Sequence, residues 1–332
     1  MNVAVLGDGG WGSALALTLH RHGHTPCVWG PSADYIAEIR QTRQNRKFLP
    51  GVEFPPAITW TADPSTALAS ATAVVLAVPS RYVRATLGRF APAYQAAGAP
   101  PVVSATKGFD ETTHQRISEI LAEIWGVAAP AALSGPSIAP ETARGVPTAV
   151  TIASADPVVA ETFQKLFCGD TFRSYTSNDV PGVELGGALK NVIAIAAGVC
   201  DGLGFGHNAK AALITRGLAE MTRLGVALGA HPQTFSGLAG VGDLMVTCMS
   251  PQSRNRTLGE RLGRGETLAA ILDGMEQVAE GVWTCPPALK LAAAAGVATP
   301  LMSQVDAILH HGQSPRTAVI ELMRRDPRAE RD

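Results

Sequence analysis

The chain has 332 residues, 46% hydrophobic and 17% charged, with 34 glycines and 23 prolines; this excludes a mostly disordered chain and is long enough for two domains with apolar cores. Lysine and arginine number 27 against 28 aspartates and glutamates, so no net field draws the protein to nucleic acid or an acidic membrane surface. Five scattered cysteines without a Cys-x-x-Cys pair argue against a zinc ribbon or disulfide framework, and the histidines show no ligand spacing, so no metal is expected.

Residues 2–6 are a short apolar run entering Gly7-Asp8-Gly9-Gly10-Trp11-Gly12, followed by small residues with Leu15 and Leu19 at helical spacing: strand, glycine turn, helix. Residues 26–29 read as a second strand, Ile58 and Trp60 lie in a weaker third, and 73–78 is an unbroken apolar stretch suited to burial on both faces of a parallel sheet, ended by Pro79. Strand-like runs follow at 101–105, 131–133, 148–152 and 171–175, with helical stretches at 113–125 and 157–167, an alternation that means an open α/β sheet. After residue 178 the texture changes to long Ala/Leu/Gly-rich segments with a period of about 3.6. There Ile214, Leu218, Met221, Leu224 and Leu228 draw one apolar stripe, with Arg216, Glu220 and Arg223 on a solvated face. Residues 288–297 and 301–310 read as further helices separated by Pro300. No basic leader is read, and no apolar run approaching the ~18 residues of a membrane span, so a cytoplasmic protein without membrane insertion is expected.

Gly7, Gly9 and Gly12 form a Gly-x-Gly-x-x-Gly pattern between a strand and a helix. Glycines there permit a tight turn, and the helix N-terminus offers free N–H groups to a pyrophosphate, which favours dinucleotide binding over an unliganded turn. The acid that grips the adenosine ribose should end the second strand, yet Trp29-Gly30-Pro31-Ser32 has none; Asp34 reads equally as a first-turn residue of a helix capped by Ser32. A site lacking that carboxylate accepts a 2′-phosphate, so NADPH is favoured with NADH allowed.

The sixteen residues 185–200 contain one charge, Lys190, and one other polar side chain, Asn191. A helix this apolar is buried on most faces, so its lysine bears a desolvation cost that something must compensate. Gly186 and Gly187 on the preceding turn clear side-chain volume beside it and suggest a ligand; the alternative is a lysine that snorkels to the surface past two packing glycines. Lys107 follows a strand and sits at the edge where open sheets bind ligands, although a surface lysine fits equally. The turn Ser134-Gly135-Pro136-Ser137 offers hydroxyls and N–H groups at the same edge, or is a plain turn. Gly240-Val241-Gly242-Asp243 places a carboxylate in a tight turn, and Ser253-Arg254-Asn255-Arg256 gathers donors suited to phosphate, with a solvated basic loop as the alternative.

Taken together, GDGGWGSALA (7–16), VPS (78–80), ATKG (105–108), SGPS (134–137), ELGGALKNVIAIAAG (184–198), GLAGVGDLMVTC and SRNR (within 237–256) resemble the bacterial-type NAD(P)-dependent glycerol-3-phosphate dehydrogenases over nearly the whole chain. The resemblance implies an N-terminal Rossmann-type open sheet, residues 1–178, that binds the dinucleotide, and a second, all-helical substrate-binding and catalytic domain, residues 179–332. It implies reversible reduction of dihydroxyacetone phosphate to sn-glycerol 3-phosphate for phospholipid synthesis, by a homodimer whose partner is a small phosphorylated three-carbon substrate. Lys190 would be the general acid and base, Asp243 its orienting carboxylate, and Lys107 a support for substrate and cofactor. Arg254 and Asn255 would hold the phosphate, lined by Asn191, Ser253, Gly135 and Ser137; Gly10, Trp11, Pro31, Ala139, Arg254, Val278 and Glu280 would join the glycine turn in holding the cofactor. Pro31 and Pro140 depart from the residues common at those places. The competing readings are a related hydroxyacid or 6-phosphogluconate-type dehydrogenase and a non-catalytic NADP-sensing module, which fold alone does not separate.

Overall fold

The computed structural model describes residues 1–275, 278–327 and 329–330. Among them eight strands form one sheet: β1 Asn2–Leu6, β2 Thr25–Trp29, β3 Thr59–Thr61, β4 Ala73–Leu76, β5 Val102–Ser104, β6 Ala131–Ser134, β7 Thr148–Ala153 and β8 Phe172–Ser177. Their order is β3-β2-β1-β4-β5-β6-β7-β8, with every neighbouring pair parallel except β6 and β7. Each apolar run in the first half of the sequence supplies one of these strands. The connecting helices are α1 Gly10–Arg21, α2 Ala33–Thr42, α3 Pro64–Leu68, α4 Ser80–Ala96, α5 Ile117–Trp125, α6 Ala139–Ala143 and α7 Pro157–Phe167. Alternate residues of β1 face opposite layers: Val3 and Val5 join Leu15, Leu19 and Phe163, while Ala4 and Leu6 join Leu87, Phe90 and Trp125. Both faces of the central strands are therefore covered, which is why β1, β4 and β5 read as unbroken apolar runs, whereas β8 alternates buried and exposed residues. Helix α5 begins at Ile117, later than the expected 113, because the Asp110 carboxylate accepts from the backbone N–H groups of Thr112 and Thr113 and holds them in a turn.

The second half is helical: α8 Val180–Gly202, α9 His207–Ala227, α10 Pro232–Phe235, a π-helical turn Leu238–Gly242, α11 Asp243–Met249, α12 Arg254–Gly263, α13 Leu268–Asp273, α14 Glu280–Ala294, α15 Pro300–His310 and α16 Pro315–Met323. Helix α8 is the axis, packed by α9, α11, α12, α14 and α15. Against expectation, it is long and apolar enough to cross a membrane, but that apolar stretch is buried entirely within the protein. Its Gly198 and the Gly259 of α12 each face a backbone carbonyl of the other helix, so the two helices touch backbone to backbone. That contact sets the Ser253–Asn255 segment beside the middle of α8.

Two further expectations are corrected here. Glu220 does not lie on a solvated face; it is 3% exposed and accepts from the N–H groups of Leu301 (2.8 Å) and Met302 (3.2 Å), satisfying the first turn of α15. Helix α14 starts at Glu280 rather than 288 and runs through Pro286 and Pro287, because burial of Val282, Cys285 and Ala288 on one side outweighs the two missing donors. Residues 276, 277, 328, 331 and 332 of the expected helical domain lie outside the described residues.

Candidate active site

Lys190 sits at the middle of α8 and is 6% exposed, so it does not snorkel to the surface. Its Nζ donates to Asp243 Oδ1 at 2.5 Å and to Thr247 Oγ1 at 2.6 Å. Lys107, in the loop after β5, donates to the other carboxylate oxygen at 2.5 Å, and the Ser134 hydroxyl reaches the same oxygen at 3.3 Å. One buried carboxylate thus serves two ammonium groups. The expected tight turn around Asp243 is the π-helical turn, which hands the chain to α11 with Asp243 as its first residue.

Burial drives the pKa of Lys190 down to about 7; Asp243 opposes this and the charge of Lys107 adds to it. Burial alone would raise Asp243, but the two lysines hold it below the ordinary carboxylate range. The result is an amine able to give or take a proton near neutrality beside an anion that stays charged. Thr247, which the sequence reading passed over, orients that amine: its hydroxyl donates to the Asp243 backbone carbonyl at 2.6 Å, leaving an oxygen lone pair towards Nζ. Its one signal was the spacing Asp243-x-x-x-Thr247, which puts both side chains on one face of a helix.

The glycines before Lys190 act differently from the expectation. A side chain on Gly186 would strike the Ala239 carbonyl, and one on Gly187 would strike Ser134 Oγ. The space they clear is filled by the protein, and it lets β6 and the π-helical turn come close enough to build the charged centre. Around that centre, the Gly135 carbonyl accepts from Lys107 Nζ at 3.4 Å and from the Ser137 hydroxyl at 2.8 Å. Asn191 Oδ1 accepts from Asn255 Nδ2 at 3.0 Å, and Asn255 Oδ1 accepts from the Gly281 N–H at 2.8 Å. Arg254 is exposed and donates to the Val278 carbonyl at 2.8 Å, while Ser253 caps α12 by accepting from the Arg256 N–H. Arg256 itself turns away from this group to an ion pair with Asp201 at 2.7 Å, so the expected row of donors ends at Asn255. Glu280 accepts from the Ser80 hydroxyl at 2.9 Å, joining the start of α14 to the start of α4.

The glycine turn lies between β1 and α1, beside the point where strand order reverses from β2 on one side of β1 to β4 on the other. Gly7 has φ +128° and no room for a side chain against the Ala77 carbonyl; one on Gly12 would strike the Gly7 carbonyl. Beside Gly9 the space is open, which suits the close approach of a pyrophosphate to backbone N–H groups. The indole Nε1 of Trp11 is buried without a partner among the described residues, a donor awaiting an acceptor. These features fit a dinucleotide. Ala139 opens α6 next to Gly10, whereas Pro31 is exposed between β2 and α2. Ser32 caps α2 by accepting from the Tyr35 N–H, which bears out the first-turn reading of Asp34.

A glycine turn at the switch point of a doubly wound sheet, together with a lysine and carboxylate buried in a helical half, defines a nicotinamide-dependent dehydrogenase. Residues 2–160 match the family model described as NAD-dependent glycerol-3-phosphate dehydrogenase N-terminus, and residues 179–320 match the corresponding C-terminus, so the chain belongs to the glycerol-3-phosphate dehydrogenase family. It is 47% identical to the glycerol-3-phosphate dehydrogenase [NAD(P)+] of Geobacter sulfurreducens, over 99% of this chain and 98% of that one. It is 49% identical to the protein of the same name from Thioalkalivibrio sulfidiphilus, again over 99% and 98%. The crystal structure of glycerol-3-phosphate dehydrogenase from Coxiella burnetii superposes with a TM-score of 0.94 at 38% identity, covering 98% of this chain and 99% of that one.

Proposed function

We propose that this protein is an oxidoreductase that interconverts dihydroxyacetone phosphate and sn-glycerol 3-phosphate with NADH or NADPH. The observation that carries the reading is the shared carboxylate of Asp243, which sets Lys190 and Lys107 at 2.5 Å each, next to the Asn191–Asn255 pair. When bound, a reduced nicotinamide supplies hydride to the carbonyl carbon of the substrate. Lys190 Nζ gives a proton to the carbonyl oxygen and, in the reverse direction, takes it from the hydroxyl. Asp243 and Thr247 hold Nζ in place, and the positive charge shared with Lys107 stabilises negative charge on that oxygen in a buried site.

Arg254, Asn255, Asn191 and Ser253 bind the phosphate, with Gly135 and Ser137 lining the same pocket; the Ser253 oxygen accepts at the helix cap and its proton is left to donate. Residues 1–178 carry the dinucleotide, through Gly7, Gly9, Gly10, Trp11, Gly12, Pro31, Lys107 and Ala139, and residues 179–332 contribute Arg254, Val278 and Glu280. A cytoplasmic homodimer supplying glycerophospholipid synthesis completes the proposal. Loss of nicotinamide absorbance on adding dihydroxyacetone phosphate, run separately with NADH and NADPH, tests it; no turnover with either cofactor would overturn it.

A further inference from the structure

Strand β2 ends at Trp29 and continues into Gly30, Pro31 and Ser32, so the place from which an acidic side chain ordinarily grips the adenosine ribose has no carboxylate of its own. The fold brings one there from the neighbouring strand. Asp8, in the glycine turn after β1, lies over Gly30, and a β-carbon added to Gly30 would collide with the Asp8 carboxyl group. The two strand ends are locked together: the Gly7 N–H donates to the Trp29 carbonyl at 2.9 Å, and the Gly30 N–H to the Thr61 carbonyl at 3.1 Å. Asn45, wholly buried, donates to the Asp8 backbone carbonyl at 2.6 Å, so the turn that carries the carboxylate is fixed as well.

Asp8 is 8% exposed, and among the described residues no other group donates a hydrogen bond to its carboxylate; its own backbone N–H and the charge of Lys47 are what compensate it. Burial pushes its pKa up to about 6. A buried carboxylate with unfilled acceptor positions at the edge of a nucleotide site is set to receive donors. Two other cations flanking β2 are engaged elsewhere: Arg40 donates to the Trp60 carbonyl at 2.7 Å and Arg89 lies 5.5 Å from the centre of the Trp29 ring, while Lys47 lies 5.1 Å from that of Phe48 and acts on Asp8 through its charge alone.

We propose that Asp8 reads the adenosine ribose, accepting hydrogen bonds from its 2′- and 3′-hydroxyls in place of a β2 carboxylate, and that it makes NADH the preferred cofactor. Two hydroxyls satisfy the open acceptors, whereas a 2′-phosphate brings like charge against a carboxylate and no proton to donate at neutral pH. The proposal reverses the preference for NADPH expected from the end of β2, since that expectation sought an acid only at the end of β2 and at Asp34 in the segment after it.

The proposal rests on the dinucleotide-binding reading, and binding measurements made without the second substrate separate the two. Nicotinamide fluorescence titrations of the intact protein should give a Kd for NADH at least about tenfold below that for NADPH, the scale of one charge-assisted hydrogen bond. Asp8→Asn, which keeps the shape and removes the charge, should narrow that ratio about tenfold by improving NADPH binding; Asp8→Ala should weaken NADH about tenfold. Circular dichroism checks that each variant is folded, and the Asn variant keeps the test open if the Ala variant is not. Tighter NADPH binding by the native protein, or an unaltered ratio in Asp8→Asn, would overturn the proposal. So would a ratio that responds to Lys47→Ala and not to Asp8→Asn. Failure of the native protein to bind either dinucleotide would overturn the dehydrogenase reading with it.

Discussion

At the sheet edge the site is built from what is missing: Gly7 and Gly12 have no room for a side chain, and the space beside Gly9 is open. On α8 it is built from what is present, with Lys190, Asp243, Lys107 and Thr247 joined by contacts of 2.5 to 2.6 Å. The edge recognises a ligand through fixed backbone donors whose cost of ordering the turn itself has met. The centre holds buried charges that would be unfavourable singly and are stable only when paired. Changes at the edge should therefore act on affinity, and changes at the centre on chemistry and on folding.

The sharpest break is Lys190→Ala. Turnover should fall at least about 10²-fold, the scale of a positioned proton donor, while the fluorescence-derived Kd for the dinucleotide stays near the native value. The fold should survive, because Asp243 keeps Lys107 as a partner; a thermal melt shifted by only a few degrees would show this, and a lost dinucleotide site would blur the distinction between the two regions.

Asp243→Ala should be worse for the fold. It strands two lysines about a carboxylate-sized hole, and breaking a buried pair by removing one partner costs about 3–5 kcal/mol, read as a drop in denaturant midpoint. A midpoint within error of native would mean that the centre is not held by charge. At the edge, Gly12→Ala forces a methyl group on the Gly7 carbonyl, and overpacking of about 1–3 kcal/mol should appear as weaker dinucleotide binding with kcat at saturation little altered. An equal loss of kcat would couple the regions more tightly than proposed.

The smallest effect is a pH dependence with opposite sign in the two directions. Reduction needs the protonated amine, so log kcat/KM should be level below about pH 7 and fall above it; oxidation needs the neutral amine and should rise through the same range. Profiles that move together would remove Lys190 as the titrating group.

Much of this was legible in the sequence. The central strands β1, β4 and β5 were visible because a sheet covered on both faces leaves unbroken apolar runs, and Lys190 stood out because it is the one charge in residues 185–200. Less was legible where several faces compete for one residue. Glu220 matched a solvated ion-pair pattern, yet its carboxylate is spent on the N-terminus of α15, an element eighty residues further on that helical spacing cannot see. Gly186 and Gly187 announced cleared volume without saying what fills it, and a threonine four residues after an aspartate is too common to single out Thr247.

Local order thus determined which segments are strands and helices, where the glycine turn falls, and which lysine is stranded in an apolar helix, because periodicity and turn chemistry are properties of neighbours along the chain. Tertiary structure alone decided that Lys107, Ser134 and Asp243 would meet at Lys190, that Asn255 would reach Asn191, and that Asp8 would stand over Gly30. Those meetings join residues up to 136 positions apart, and whether a buried charge is tolerable depends on which partner the packing delivers.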